Sequence, residues 1–276
     1  MEYQRKIKVP VTSEDRQKSY FKYYERDLVQ GDPKLYEKAL SGPVDPKNAL
    51  LFSERNRLFE PGNQEEEIGY CTMEDGTAYM ACRIIMPRVT AEMFDWWFAW
   101  HGLDNLRYKI WDSEDHYIAQ CLNPEIAGNT SLSYKERYQD TIHYIEEDLG
   151  AGKDSTYLHF MKPEDFGFSQ DLIGTPACAT LVCARSFMNG KPNDSDPSNA
   201  MVHFTRETDL GLELRSRFWL GWSIREGKDF KTIPPGVRIP ETVPKMMLLH
   251  CIKEFSNLAA ILPEVFAEEA PKEKLL

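Results

Sequence analysis

The distribution of hydrophobic and polar residues changes near residue 65 of the chain. Before that point the sequence is polar and is interrupted by the turn-forming stretches "GDP", "SGPVDP" and "EPGN". Residues 13–28 and residues 33–40 are the two segments there with helical periodicity. The pattern therefore predicts a small helical appendage over residues 1–65, followed by a main domain over residues 66–276.

The main domain begins with a predicted β-hairpin. The stretch "EIGYCTMEDGTAYMACRIIMP" has two β-rich runs on either side of Asp75 and Gly76, a dipeptide that favours a tight hairpin turn. Thr90 then offers the hydroxyl of a helix N-cap before "AEMFDWWFAWHGL", a helix that is expected to end near Gly102. Because this helix is apolar nearly all round, we expect it to be buried.

Six later runs are rich in β-branched and aromatic residues and predict further strands. They are "LRYKIW" (106–111), "TIHYIEED" (141–148), "STYLHFM" (155–161), "ATLVCARSF" (179–187), "AMVHFTRET" (200–208) and "LELRSRFWLGWSI" (212–224). Together with the hairpin they predict a largely antiparallel sheet of seven or eight strands, with residues 189–199 as a solvent loop.

A long helix is predicted at the end of the chain, from about residue 241 to residue 268, bent or interrupted at Pro263. This order of elements predicts an α+β fold. It favours a helix-grip arrangement, in which a curved antiparallel sheet wraps round the C-terminal helix and leaves a cavity between them. Other α+β arrangements have the same order of elements, so the pattern by itself leaves that choice open.

The terminal helix carries a histidine and a glutamate inside a hydrophobic stretch, "LLHCIKEF". With about 100° between successive residues, the predicted solvent face holds Lys245, Lys253, Ser256, Ala260 and Glu264. His250 and Glu254 lie elsewhere. They share a stripe with Val243, Met247, Ile261 and Val265. Their i, i+4 spacing places the two polar side chains one above the other, where both can reach a single point.

Two interpretations of this pair are open. A hydrogen-bonded His–Glu pair in the core would compensate the buried carboxylate. Alternatively, imidazole and carboxylate are standard ligands of zinc. Further ligands would be His116 and either Glu146 or Glu147, because alternation along a strand turns only one of these glutamates inward. The other histidines are His101, His143, His159 and His203. The residues alone thus indicate a candidate site of two histidines and two carboxylates.

Composition limits the partners and the compartment. The formal net charge of -11 argues against binding to nucleic acid or to an anionic membrane. The first residues lack the apolar core of a secretory signal and no segment has the length of a membrane span, so we expect a cytoplasmic protein. Six scattered cysteines without CxxC pairs are expected to be reduced and buried; they are Cys71, Cys82, Cys121, Cys178, Cys183 and Cys251.

Several of these stretches together resemble the family of 2,4-diacetylphloroglucinol hydrolase and phloretin hydrolase. The resemblance rests on "FDWWFAWH", on "RYKIW" with His116 beyond it, on Glu147 and on "HCIKE", and it extends over roughly residues 65–265. It implies a helix-grip fold with residues 66–276 as the catalytic domain. It also implies a homodimer, with the N-terminal appendage as a plausible contact.

The resemblance further implies the residues of a zinc site. The implied ligands are His116, Glu147, His250 and Glu254. Glu147 would also accept a proton from water, Tyr108 matches a family tyrosine that hydrogen-bonds substrate oxygens, and His203 is a further substrate-binding candidate. The sequence departs from the family at two pocket positions. Ala119 stands where the family has an asparagine, and Phe218 or Trp219 stands where it has a second tyrosine.

The implied activity is hydrolysis of the C–C bond between an acyl group and a phloroglucinol ring. We expect phloretin as the substrate, giving phloroglucinol and 3-(4-hydroxyphenyl)propionate, in preference to 2,4-diacetylphloroglucinol, because chain length, acidity and the substituted pocket are closer to that branch. The alternative class is a non-catalytic carrier of aromatic or lipid ligands, since helix-grip proteins often bind such molecules in the same cavity.

Overall fold

The computed structural model describes residues 6–187 and 198–273. Its strands are β1 (Gly69–Thr72), β2 (Ala78–Met86), β3 (His116–Cys121), β4 (Ile142–Glu147), β5 (Asp154–Met161), β6 (Leu181–Phe187), β7 (Asn199–Thr208), β8 (Gly211–Leu220), β9 (Trp222–Arg225) and β10 (Lys228–Lys231). Its α-helices are α1 (Phe21–Glu25), α2 (Pro33–Leu40), α3 (Ala91–Trp100), α4 (Asn105–Trp111), α5 (Pro124–Ala127), α6 (Tyr134–Tyr138) and α7 (Thr242–Glu273).

Eight strands form one antiparallel sheet in the order β1-β2-β8-β7-β6-β5-β4-β3, and β9 and β10 form a separate pair. The predicted α+β class and the large antiparallel sheet are therefore confirmed. The hairpin at Asp75 is also confirmed, because β1 and β2 pair directly and Asp75 accepts hydrogen bonds from Thr77 at the turn. Gly76 has a φ of 87°, which explains the glycine there.

One predicted strand is wrong. "LRYKIW" forms the helix α4, because the Asp104 side chain accepts a hydrogen bond from the amide of Leu106 and caps a helix there. The β-rich composition of these six residues predicts a strand, but the capping side chain just before them favours a helix. Two strands were not predicted: β3, which starts at His116, and β10.

Two other boundaries differ from the prediction. Residues 13–28 contain only a 3-10 turn (Asp15–Gln17) and the short helix α1, because the backbone becomes extended at Lys18, with a ψ of 141°. Residues 212–224 form two strands in different sheets, because the chain turns at Gly221 with a φ of 84°. Of the predicted loop at residues 189–199, residues 189–197 lie outside the described part, and Asn199 already belongs to β7.

The terminal helix α7 packs on one face of the sheet, with its closest strand contacts to β2 and β1. It continues through Pro263 without interruption and is longer than predicted. Proline removes a single intrahelical hydrogen bond, and the extensive burial of this helix compensates that loss. The buried helix α3 packs against α7 and α6, and Thr90 caps it as predicted by accepting a hydrogen bond from the amide of Met93.

Apolar residues cover both faces of the sheet. The larger core lies between the sheet and the helices α3, α4 and α7. A second core on the opposite face includes Leu50, Phe52, Leu58 and Phe59 of the N-terminal segment. The N-terminal helices contact the terminal helix through pairs such as Ser19 with Glu269. The domain boundary near residue 65 stays a prediction.

The six cysteines are free and buried, as predicted. Among the described residues, no helix has both the length and the hydrophobicity to cross a membrane.

Candidate functional site

Four side chains from three elements converge at one end of the sheet. His116 begins β3 and faces Glu147 at the end of β4 across the antiparallel pair. His250 and Glu254 extend towards them from α7. The His116 Nε2 atom lies 3.2 Å from His250 Nε2, 3.5 Å from Glu254 Oε2 and 3.9 Å from Glu147 Oε2. The His250 Nε2 atom lies 3.8 Å from Glu254 Oε2 and 3.9 Å from Glu147 Oε2.

A tight turn between α4 and β3 places His116. After α4 ends at Trp111, the Asp112 Oδ1 atom accepts hydrogen bonds from the amides of Glu114 at 3.0 Å and Asp115 at 3.2 Å. The amide of His116 then donates to the Asp112 carbonyl at 3.0 Å. This acidic turn, residues 112–115, closes the connection and directs the fully buried imidazole into the site.

The far sides of the two imidazoles face acceptors. His116 Nδ1 lies 3.1 Å from the carbonyl oxygen of Tyr108, which can only accept a hydrogen bond. His250 Nδ1 lies 3.6 Å from Asp115 Oδ2, longer than a formed hydrogen bond but within ion-pair distance. In the neutral form of each ring this arrangement favours the proton on Nδ1, and both Nε2 atoms then present lone pairs to the shared centre.

The electrostatics of the four groups are strongly perturbed. Burial raises the pKa of the Glu254 carboxyl well above its ordinary value, although His250 opposes the rise. Burial, reinforced by the charge of His250, lowers the pKa of His116 well below its ordinary value. Burial also disfavours a charged His250, but Asp115, Glu254 and Glu147 outweigh it and raise the pKa of His250 to about 9. The acidic neighbours of His250 thus favour a positive charge at this point of the cluster.

Lys253 is buried, which corrects its predicted place on the solvent face of the terminal helix. Its Nζ atom lies 3.0 Å from Asp112 Oδ2 and 3.4 Å from Glu114 Oε2, and it also bonds Asp115. Helical periodicity predicts that Lys253 faces solvent, but the acidic turn covers that side of the helix. The ammonium group compensates the charge of these three buried carboxylates, and Asp115 also pairs with Lys6 at 2.9 Å.

Asp112 is a further acidic neighbour of the histidines. Asp112, His116 and His250 place one potential ligand atom each within 4.8 Å of one another and could hold a metal ion. The Asp112 carboxylate, however, is already engaged by two turn amides and by Lys253. Since Glu147 and Glu254 have oxygens directed at both Nε2 atoms, we favour these two glutamates over Asp112 as the partners of the histidines.

The two candidate glutamates of β4 point to opposite sides of the sheet. Glu147 lines the cavity described below and accepts a hydrogen bond from the Tyr108 hydroxyl at 2.6 Å. Glu146 bonds Tyr144 and Lys153 instead. Strand alternation therefore turns only Glu147 towards the cavity, as the prediction that one of the two glutamates faces inward requires.

A cavity of about 390 Å³ lies between the sheet and α7, and three of the four cluster residues lie in its wall. Tyr108, Glu147, His250 and Glu254 line it. The rest of the wall is largely apolar and includes Phe98, Trp111, Ile145, Leu158, Phe160 and Met247. The cavity is thus a largely apolar chamber with polar groups concentrated at a few points.

The predicted pocket residues are placed as follows. His203 lines the cavity, and its Nδ1 atom lies 2.8 Å from Ser216 Oγ. Phe218 also lines the cavity, whereas Trp219 lies in the core on the opposite face and donates a hydrogen bond to the Leu50 carbonyl. Of these two residues, only Phe218 lines the cavity. Ala119 is buried and does not line the cavity.

Sequence reasoning missed the roles of Asp112, Asp115 and Lys253 around the cluster. A signal was present, because "WDSED" is an acidic run directly before His116, and Lys253 directly precedes Glu254. His101 was considered only as a further metal ligand. It lines the cavity but does not join the cluster.

An apolar chamber with two imidazoles and two carboxylates at one end is the kind of site that metal-dependent hydrolases have. The sequence comparisons identify the family. The DAPG hydrolase PhiG domain matches residues 50–267, and the chain belongs to that family.

Named relatives support the same assignment. The chain is 41% identical over 266 residues to phloretin hydrolase from Eubacterium ramulus, covering 95% of this chain and 94% of the relative. It is 29% identical over 264 residues to 2,4-diacetylphloroglucinol hydrolase from Pseudomonas protegens, covering 92% of this chain and 85% of the relative. The predicted family and the predicted class, an enzyme of the hydrolase type, are confirmed.

Proposed function

We propose that this protein is a zinc-dependent hydrolase of acylphloroglucinols and that phloretin is its substrate. The products would be phloroglucinol and 3-(4-hydroxyphenyl)propionate. The single observation that carries the substrate choice is the 41% identity to phloretin hydrolase, extending over 95% of this chain. The identity to the relatives named for diacetylphloroglucinol is lower, at 29%.

We infer that the fold is of the helix-grip kind. An eight-stranded antiparallel sheet packs along one face against the 32-residue helix α7. The cavity between them, lined by Val243, Met247 and His250 of that helix, supports this assignment.

We infer that His116, Glu147, His250 and Glu254 hold the zinc ion. Four ligands about 2.0–2.1 Å from a tetrahedral zinc would be about 3.3–3.4 Å apart. The five separations that involve a histidine Nε2 atom, 3.2–3.9 Å, are close to that requirement. Two carboxylates and two inward-facing imidazole lone pairs repel one another unless a cation compensates them, so the chemistry of the donor set also fits.

The chemistry divides between the metal and the chain. When bound, zinc would act as a Lewis acid that polarises a carbonyl group and lowers the pKa of water towards neutral pH. Tyr108 is held neutral, because burial, reinforced by Glu147, raises its pKa well above the ordinary value. Its hydroxyl is therefore a hydrogen-bond donor, suited to the acyl oxygen on which negative charge develops.

We propose that Glu147 accepts a proton from a water molecule while the oxygen of that water adds to the acyl carbon. The bond between the acyl carbon and the ring then breaks, and its electron pair moves into the ring. The ring carbon gains one proton, which balances the proton that Glu147 takes from water, and the acyl group is released as a carboxylic acid that contains the oxygen of that water. The apolar wall excludes other water from the chamber and can hold the arylpropionyl chain.

Two other functions compete with this proposal. The protein could cleave 2,4-diacetylphloroglucinol, as the name of the more distant relatives states for those proteins. It could also be a non-catalytic carrier that uses the same cavity, in which case His250 and Glu254 would form a core polar pair.

One experiment separates the three. Purified protein is incubated with phloretin or 2,4-diacetylphloroglucinol, and phloroglucinol and the released acid are followed by chromatography, alongside elemental analysis. We expect about one zinc per chain and faster release from phloretin. Glu254→Gln should abolish both zinc and product, whereas Glu264→Gln, an exposed position on the same helix, should not. Folded, metal-free protein that cleaves neither substrate would overturn the proposed zinc-dependent hydrolase function.

We also propose a cytoplasmic homodimer. Six free, buried cysteines support a reducing compartment. The family resemblance supports the dimer, with the N-terminal helices α1 and α2 as the contact. Light scattering during gel filtration would test the dimer, and a monomer at micromolar concentration would contradict it.

A further inference from the structure

A second cavity-lining histidine lies outside the four-residue cluster. His101 follows α3 in a 3-10 turn and is 2% exposed. It lines the cavity beside Phe98, Tyr108 and Trp111. Burial of an imidazole that takes part in neither the metal cluster nor a salt bridge calls for an explanation.

The hydrogen bonding of His101 determines its tautomer. Its Nδ1 atom lies 2.9 Å from the carbonyl oxygen of Trp97, one turn earlier in the chain. A carbonyl oxygen only accepts, so Nδ1 carries the proton and, in the neutral ring, Nε2 carries the lone pair. Burial lowers the pKa of His101 to about 4, so the ring is neutral at physiological pH.

The Nε2 atom has no hydrogen-bond partner among the described residues. The ring is surrounded by aromatic groups, with centroids 6.0 Å away in Trp97, 5.5 Å in Phe98 and 5.6 Å in Trp111. None of these side chains donates to Nε2. His101 Nε2 is therefore a hydrogen-bond acceptor without a partner in a largely apolar wall.

The position of this acceptor relative to the reacting centre is defined by Tyr108. The Tyr108 ring stacks on His116 at 3.8 Å, and its hydroxyl donates to Glu147. The centroid of the same ring lies 6.1 Å from that of the His101 ring. A substrate whose acyl oxygen meets Tyr108 and Glu147 would therefore have an aromatic ring within reach of His101.

We propose that His101 Nε2 accepts a hydrogen bond from a hydroxyl group on the aromatic ring of the substrate. The inference rests on the proposed function, because it takes the ligand to be a polyhydroxylated aromatic ketone. This hydrogen bond would explain why His101 Nε2 has no protein partner in a largely apolar wall. A ring with methoxy groups in place of hydroxyls cannot donate and would leave Nε2 without a partner, which makes His101 a residue that determines specificity.

A matched pair of variants tests the proposal. His101→Leu and His143→Leu each remove a buried imidazole, and the two rings lie only 5.6 Å apart. His143 does not line the cavity, and within residues 6–187 and 198–273 neither of its ring nitrogens has a hydrogen-bond partner. Both variants therefore share the packing cost, and only the first removes the proposed acceptor.

Calorimetry with phloroglucinol and with 1,3,5-trimethoxybenzene measures the effect without requiring turnover. We expect His101→Leu to weaken phloroglucinol binding about tenfold and to leave trimethoxybenzene binding unchanged. His143→Leu should change neither. His101→Gln, whose amide oxygen can accept, should recover part of the loss. With phloretin, His101→Leu should raise KM at unchanged zinc content.

Unchanged phloroglucinol binding in folded His101→Leu would overturn the proposal. If that variant does not fold, as judged by circular dichroism, His101→Gln compared with His101→Met replaces the pair, and equal phloroglucinol binding by those two variants would overturn it as well. A wild-type protein that binds phloroglucinol but cleaves no acylphloroglucinol would contradict the proposed function alone.

Discussion

The Nε2 atoms of His116 and His250 lie 3.2 Å apart, although 134 positions separate these residues in the chain. Two Nε2 lone pairs at that distance repel one another unless a proton or a metal cation lies between them. Lys253 on the helix and the acidic turn 112–115 on the sheet form ion pairs directly behind this contact. The contact is therefore held from both sides by elements that are distant in sequence.

Tyr108→Phe should lower kcat for acylphloroglucinol hydrolysis by about 10²–10³ and leave bound zinc unchanged. The substitution removes the hydroxyl that reaches Glu147 Oε2, while the ring can still stack on His116. Steady-state kinetics and elemental analysis measure the two effects. Tyr144→Phe is the control, because that hydroxyl bonds Glu146 on the other side of the sheet. A Tyr108→Phe variant with wild-type kcat would contradict the role.

Asp115→Asn should weaken metal affinity by about 10–100-fold. Its carboxylate faces His250 Nδ1 at 3.6 Å, and the neutral amide would no longer favour the proton on that nitrogen. Competition with a chromogenic chelator measures the affinity. Asp154→Asn, at an exposed carboxylate at the start of β5, is the control. Equal affinities for the two variants would exclude Asp115 as a positioning residue.

Lys253→Met should destabilise the fold by about 3–5 kcal/mol, because it leaves buried carboxylates of the acidic turn without their cation. Burial disfavours the charged ammonium, yet Asp112 and Asp115 raise the pKa of Lys253 above its ordinary value. The free energy of unfolding in urea measures the loss. Lys245→Met on the same helix should change it by less than about 0.5 kcal/mol. Equal effects of the two substitutions would argue against a buried ion cluster.

Glu67→Gln should remove part of the stability at neutral pH and flatten its acid dependence. Glu67 forms ion pairs with Arg215 and Arg217, whose charges outweigh burial and lower the pKa of Glu67 from 4.5 to about 2. Because the folded-state pKa is depressed, this contribution, on the order of 3 kcal/mol, is fully present above about pH 4.5. It is lost as the pH falls towards about 2.

Urea unfolding at several pH values checks this prediction. The difference between wild type and Glu67→Gln should be constant from pH 5 to pH 7 and should shrink below about pH 4.5. Glu60→Gln, an exposed position, is the control. A difference that does not depend on pH would show that Glu67 acts through packing instead of charge.

Local patterns in the sequence were sufficient for several parts of the fold. The turn chemistry of Asp75 and Gly76 specified a hairpin, and the Thr90 hydroxyl specified the start of α3. Strand alternation required Glu146 and Glu147 to face opposite sides, and the structure has them so. Each of these features depends on residues only a few positions apart, so the local sequence is sufficient to predict it.

The sequence by itself also determined that His250 and Glu254 share a helical stripe, because helical periodicity decides which residues face the same way. Only the tertiary structure decided what covers each stripe. It buried Lys253 against the acidic turn, and it paired His116 with Glu147 across β3 and β4. Periodicity reports the direction of a side chain relative to its own element. The partner it meets depends on how distant elements pack, and no local pattern contains that information.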